Sequence, residues 1–417
     1  MAISKNDLTV LRQLVTQYAE AAADPINKKR FTAWSDLNSL KGCGRPLVWI
    51  NEICWWEFDN LPQMTLLCKG KWARNMERGL RRTLFQWHNF RGDMILDPIL
   101  FVTVQCSPTS TYANYRIKAH EVRAANCSSG TAMYQPVINS EADVDKLHMP
   151  RVTVNWKATL RELELMQEVC EGIIPCQARG IVHQWTAAWD TMIHWYGIER
   201  LYTDMFDRPE LVHRLLRRFW SAQHRVLDRQ EAMGLLASGN GNWRIGSGGL
   251  GCTPELPQRD YDPLHVRPID QWGCATAQIF SEVSPDMHWE FSLQYEKPFM
   301  ERFGLSYYGC CEPLHTKMGI LKQVANLRKV SASPWSNLEK MAQECGTDYV
   351  VSFKPNPAHL AMDGWDEHLV RNYLQESLQK LQGCHVEIIL KDITTLRQRP
   401  ERLPAWNDIA MQVTNCR

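Results

Sequence analysis

The stretch Leu305–His315 reads LSYYGCCEPLH, and the fold turns on how it is parsed. Leu305, Tyr307 and Tyr308 make a short aromatic-rich run of the kind that packs on a pleated surface, and Gly309 and Pro313 end it. The run therefore predicts a buried β-strand with Cys310, Cys311 and Glu312 at its C-terminal end, where active sites of parallel α/β folds sit. Adjacent residues on a strand point to opposite faces, so the spacing brings only one of the two thiols into a site unless the turn redirects the other. Each cysteine also has a plain reading as a small buried hydrophobe. Cys310, Cys311, Glu312 and His315 together offer the mixed soft and hard donors that zinc accepts.

Working outward, the chain alternates strand and helix to its end. Strands are expected to begin near 46, 173, 243, 274, 305, 328, 348 and 386, each followed by a helix or a longer excursion. Such alternation implies a parallel sheet, and eight such strands imply a (β/α)8 TIM barrel. The strand near 243 lies in the glycine-rich SGNGNWRIGSGGLGC, whose composition weakens it. A doubly wound open sheet is the alternative, although no GxGxxG or Walker-type loop follows any strand. Residues 1–44 read as an N-terminal helical segment, with helices over about 5–23 and 28–40. Residues 45–417 read as the barrel, including a large excursion at about 53–151 after the first strand.

Composition narrows the function classes. Among 417 residues, 47 basic against 46 acidic side chains give a net charge of +1, so there is no basic excess to suggest nucleic acid as a partner. The first residues are charged throughout and predict a helix, not a signal peptide. No stretch offers the roughly 18 uncharged apolar residues of a membrane span, so the expectation is a cytoplasmic protein with no membrane contact. The 14 cysteines contain no CxxC and no paired spacing, which fits reduced thiols better than disulfides. The 17 tryptophans are many, and those near strand ends could wall a planar ligand as readily as fill a core.

In a barrel the residues just past the strands converge on one mouth. That rule gathers Asn51 and Glu52; Gln177, Arg179 and His183; Ser247–Gly249; Ser281 and Glu282; the Cys310–Glu312 cluster; Ser333 and Trp335; Lys354 and Asn356; and Lys391 and Asp392. From these and the nearby tryptophans, Glu52, Trp55, Trp56, His183, Trp185, Trp335, Lys354, Asn356 and Lys391 are the expected substrate-binding residues. Lys354 and Lys391 close otherwise apolar strands, where a lysine reaches either solvent or an anion. Cys311 and Glu312 are the expected catalytic residues, with Cys310, Cys311 and Glu312, and His315 besides, as metal donors. A metal there would act as a Lewis acid; without one, a thiolate could act as nucleophile.

With YYGCCEP at the fifth strand, SEVSPDMHWEF before it, FKPNP after the seventh and EIILKDITTLRQRPERLPAWNDIAM at the end, the chain resembles the uroporphyrinogen decarboxylase superfamily. The similarity runs over roughly 45–411 and is greatest to the corrinoid-system methyltransferase-like branch of anaerobic bacteria. It implies a (β/α)8 barrel and an enzyme that moves a methyl group from a small methylated compound, with a methoxylated aromatic suggested by the tryptophans, to cobalamin carried on a separate corrinoid protein. This would be the role of an O-demethylase component. In those relatives zinc is held by a His-x-Cys and a later cysteine. Here Cys311 matches the first cysteine, while Gly309 stands at the histidine position and Lys391 at the second cysteine. NEICWWEF follows the first strand where true decarboxylases carry an arginine-rich motif. The alternatives left open are a cofactor-free lyase or decarboxylase acting on a carboxylated substrate and a non-catalytic binder of planar ligands. A homodimer is also left open.

Overall fold

The computed structural model describes residues 3–42, 44–107, 115–122 and 133–415. Seven strands, β1 (Leu47–Ile50), β2 (Gln184–Thr186), β3 (Trp272–Ala275), β4 (Leu305–Tyr308), β5 (Leu327–Ala332), β6 (Val350–Phe353) and β7 (His385–Leu390), form one parallel sheet in the order β1-β7-β6-β5-β4-β3-β2. That order is cyclic, as in a barrel. The sheet is nevertheless not closed, because no ladder joins its edge strands β1 and β2 among the described residues. The α/β class and the parallel sheet stand, while the closed eight-stranded barrel does not.

Two departures explain the opening. The strand expected near 173 exists as Cys176–Arg179, but it pairs with Leu100–Thr103 in a separate two-stranded sheet. The place beside β3 is taken by Gln184–Thr186. The segment near 243 makes no strand; it holds one bridge, Arg244 to Leu250, and lies across the sheet's inner face. Its glycines permit that approach. A Cβ on Gly248 would sit 2.5 Å from a Glu387 carboxylate oxygen, and one on Gly249 would sit 2.4 Å from the Trp34 ring. A glycine-rich run thus serves as a lining where a strand would leave the inner face bare.

The two faces of the sheet follow the period of two along each strand. Val48, Ile50, Val330, Ala332, Val351, Phe353, Ile388 and Leu390 share one buried cluster with Met341, Leu374, Trp406 and Ile409 of the flanking helices Leu338–Cys345, Glu367–Lys380 and Arg402–Asn415. Each such burial contributes about 1.5–3 kcal/mol. The opposite face carries Tyr307, Lys329, Ser331, Ser352 and Glu387, with Tyr307 level with Lys329 and Ser331 with Ser352. Polar residues alternating inside apolar strands make the inner face the polar one.

The N-terminal helices form at Lys5–Ala22 and Ile26–Asn38, and the Ser4 hydroxyl caps the first by accepting from the Asp7 N–H. Leu11, Leu14 and Tyr18 pack with Leu80, Leu84 and Trp87 of helix Lys71–Asn89, which belongs to the excursion. After β2 the chain forms three successive helices, Ala188–Tyr196, Ile198–Asp207 and Pro209–Ala232. They break at Gly197, whose φ of +77° favours glycine, and at Pro209. Ser284 caps helix Pro285–His288, and a π-turn at Trp289–Leu293 separates it from helix Gln294–Met300.

Candidate functional site

The turn after β4 redirects both cysteines. Gly309 takes φ +99°, so the chain leaves the strand sharply. The Cys310 and Cys311 sulfurs end 3.6 Å apart on the same side, against the expectation for neighbours on a strand. Cys310 is buried and Cys311 half-buried. Lys391, just past β7, brings its ammonium within 3.5 Å of Cys310 Sγ. Lys391 is itself buried and sits 3.0 Å from Asp392 and 3.5 Å from Glu52.

The electrostatics favour a thiolate at Cys310. The hydrogen bond from the Cys311 thiol lowers it, burial opposes, and the charges of Lys391 and Lys354 lower it further, to about 7. Cys311 is pushed the other way by donating to its neighbour and by burial. Burial alone would depress Lys391, but Cys310, Glu52 and Asp392 raise it above the ordinary lysine range. Glu52 is held down at about 2, since the Arg244 guanidinium 2.7 Å away and Lys391 outweigh burial.

Below this layer lies a second cation. Lys354 is buried and donates to Tyr307 Oη at 2.9 Å, to Ser331 Oγ at 2.7 Å and to the Ser352 carbonyl at 3.3 Å. None of these acceptors is charged, and no carboxylate lies within 4 Å of it among the described residues. Burial brings Lys354 down to about 8. Ser247 of the glycine-rich segment joins Tyr307 Oη at 2.9 Å, and Ser331 Oγ donates to the Cys310 carbonyl at 2.7 Å. A hydrogen-bonded column therefore runs from the glycine-rich segment through Lys354 to the cysteine turn. At its floor Lys329 and Glu387 form a fully buried ion pair of 2.8 Å, and Glu387 also accepts from Gly249 N at 2.9 Å.

Several expected site residues lie elsewhere. Glu312 is fully buried and spends its oxygens on Thr276 Oγ1 at 2.8 Å, Ala277 N at 3.2 Å and Cys310 N at 2.8 Å. It ties the turn to the neighbouring loop, with both of its oxygens engaged in those bonds. His315 Nδ1 accepts from Asn337 N at 3.2 Å, next to the start of helix Leu338–Cys345. Trp55 packs with Phe58 and Phe90 on the helix side of the sheet, and Trp56 and Trp335 stand in solvent at 55 % and 72 % exposure. Asn356 uses its side-chain oxygen to accept from Ala358 N at 3.0 Å within its own turn. A run of aromatic or polar residues near a strand end does not say which way each side chain turns; local packing decides.

Cys310 and Cys311 supply two soft donors, but the other two groups of the expected zinc set are turned away and held by backbone amides. Among the described residues no three His, Cys, Asp or Glu side chains converge as a metal-binding group. The residues present do not fit the zinc site implied by the resemblance.

His183 and Trp185 do come together, stacked at 6.3 Å and 17° on the sheet's inner face. His183 Nε2 accepts from Gly246 N at 2.9 Å and lies 3.5 Å from Cys274 Sγ, and burial lowers it to about 4. Both residues also line a cavity of about 1270 Å³ between β2, the Leu100–Thr103 strand and helix Pro209–Ala232. Of the residues that sequence reasoning passed over, Tyr307, Ser331, Ser352, Lys329 and Glu387 had a usable signal, namely polar groups at alternate positions of apolar strands. Arg244 had none, because only the folded path of its segment brings it to the mouth; Ser247, gathered there by the strand-end rule, does stand at Tyr307.

Comparison by sequence matches no family model and no curated protein. The fold is similar to the solved structure of a methyltransferase from Methanosarcina mazei, with a TM-score of 0.43 and 10 % identity over 74 % of this chain and 79 % of that one. A likeness this remote does not place the chain in a family. No helix among the described residues is long and apolar enough to cross a membrane.

Proposed function

We propose that the Cys310 mouth is the active site of a methyltransferase that takes a methyl group from a small methylated substrate, a methoxylated aromatic being the preferred class. The observation that carries this reading is the buried Cys310 sulfur 3.5 Å from the Lys391 ammonium. A thiol lowered to about 7 is roughly half ionised near neutral pH, which supplies a standing population of nucleophilic thiolate. It attacks the methyl carbon, a carbon–sulfur bond forms as the carbon–oxygen bond breaks, and the electron pair leaves on oxygen. Lys391, the cation beside the sulfur, offsets the negative charge that gathers on the departing oxygen. The methyl group then passes from sulfur to the reduced corrinoid of a separate protein, which returns the thiolate. The corrinoid acceptor rests on the resemblance of YYGCCEP and FKPNP to the corrinoid-system branch.

Lys354 favours a second reading. A buried ammonium bonded only to neutral oxygens is suited to a carboxylate, as a cofactor-free lyase or decarboxylase would require.

One assay separates the two. Purified protein is incubated with methoxylated aromatics and cob(I)alamin, and both methylated cobalamin and released carbon dioxide are followed in wild type, Cys310→Ala and Cys311→Ala. Methyl transfer that needs cobalamin and is lost in Cys310→Ala supports the first reading. Carbon dioxide released without cobalamin supports the second, and activity unchanged in Cys310→Ala ends the thiolate mechanism.

A further inference from the structure

The cavity beside β2 contains an arginine that the mouth does not use. The Arg179 guanidinium carbon lies 3.7 Å over the centre of the Phe101 ring and 5.0 Å from that of Trp243, so the planar cation is held between two aromatic faces. All three residues line the cavity. Arg179 makes no side-chain hydrogen bond or ion pair within 4 Å among the described residues. Asp97 acts on it only at longer range, and burial lowers it below the usual arginine range. A half-buried guanidinium with a fixed plane and unspent N–H groups is built to receive a planar anion in two parallel hydrogen bonds.

The rest of the lining describes the body of that ligand. His183 and Trp185, nearly parallel at 17°, form a flat wall inside the cavity. The volume of about 1270 Å³ is ample for a ring system. We propose that this cavity is a binding site for an aromatic carboxylic acid, with Arg179 as the carboxylate anchor and Trp185 with His183 as the ring platform. His183 also joins the cavity to the mouth, since its Nε2 holds Gly246 N one residue from Ser247, which bonds Tyr307 and through it Lys354. The inference deepens the methyltransferase reading by naming the substrate as an acid. It rests on that reading only for the consequence, not for binding.

The test is calorimetric titration of the full chain with benzoate and with benzamide, which share a ring and differ in charge, without cobalamin or turnover. Benzoate is expected to bind about ten-fold or more tighter than benzamide. In Arg179→Gln benzoate should fall to the benzamide level, with benzamide within about two-fold of its wild-type affinity, the expected scale for one charge-assisted pair. Arg179→Lys, which keeps the charge but not the stacked plane, should retain part of the preference and covers the case in which the glutamine variant fails to fold. Equal binding of the two probes, no binding of either, or a preference undiminished in Arg179→Gln would overturn the assignment. Failure of the methyl-transfer assay with benzoate binding intact would leave this site standing and remove only the methyltransferase reading.

Discussion

The sulfur of Cys310 and the ammonium of Lys391 meet 3.5 Å apart, although the residues stand 81 positions apart in the chain and the two strands that carry them, β4 and β7, are not neighbours in the sheet. Only a sheet whose C-terminal strand ends face a common space brings these groups together. The first prediction concerns that contact. Reaction of Cys310 with iodoacetamide, tracked by peptide mass spectrometry, should rise with pH around a midpoint of about 7. In Lys391→Met the midpoint should move up towards the ordinary thiol range, because the thiolate loses its nearest cation. A wild-type midpoint at or above that ordinary range would show that the thiolate is not stabilised.

The floor of the site makes a stability prediction. Lys329 and Glu387 are both fully buried and 2.8 Å apart. Lys329→Met strands a buried carboxylate and is expected to cost about 3–5 kcal/mol in denaturant unfolding. Adding Glu387→Gln removes that charge and should recover a substantial part of the loss. Additive losses in the double variant would mean that the pair is not coupled.

The glycine-rich segment tests whether the inner face is packed as described. In Gly249→Ala the new methyl would meet the Trp34 ring at 2.4 Å and Glu387 Oε2 at 2.7 Å. Overpacking of that kind costs about 1–3 kcal/mol or more. Gly319→Ala, in helix Met318–Leu321 with nothing within 4 Å of the added carbon, should be neutral or slightly stabilising. Comparable melting temperatures for the two variants would show that the segment does not lie against Trp34 and Glu387.

Behind β4, Glu296 is enclosed with Ser292, Tyr308 and His288. Burial raises Glu296 to about 7, above its ordinary 4.5, while burial holds His288 neutral. Proton linkage sets the direction of the effect. A carboxyl whose folded value is raised costs nothing below about 4.5, and its cost grows as pH rises until it is complete above about 7. Glu296→Gln keeps a neutral group that can donate to Tyr308 Oη, which in turn donates to His288 Nε2, 2.7 Å from it. The variant should match wild type in unfolding free energy near pH 4 and exceed it at pH 8, by an amount on the order of 3 kcal/mol. A difference independent of pH would show that Glu296 is not raised.

The sequence by itself determined the parallel α/β class, six of the seven sheet strands, the two N-terminal helices and the position of the turn after β4. These are legible because strand and helix periods, caps and turn residues are local. It also brought Cys310, Lys354 and Lys391 into the site, since residues just past apolar strands must emerge at one end of a parallel sheet. The tertiary structure alone decided that the sheet stays open, because pairing partners are chosen by long-range packing and not by propensity. It decided too that SGNGNWRIGSGGLGC lines the inner face, for only glycine fits against Glu387 and Trp34. The same holds for Glu312, His315 and the exposed Trp56 and Trp335, whose residue types suggested ligands. Which way a side chain leaves a turn is set by the neighbours that satisfy its polar atoms, and those neighbours come from distant parts of the chain.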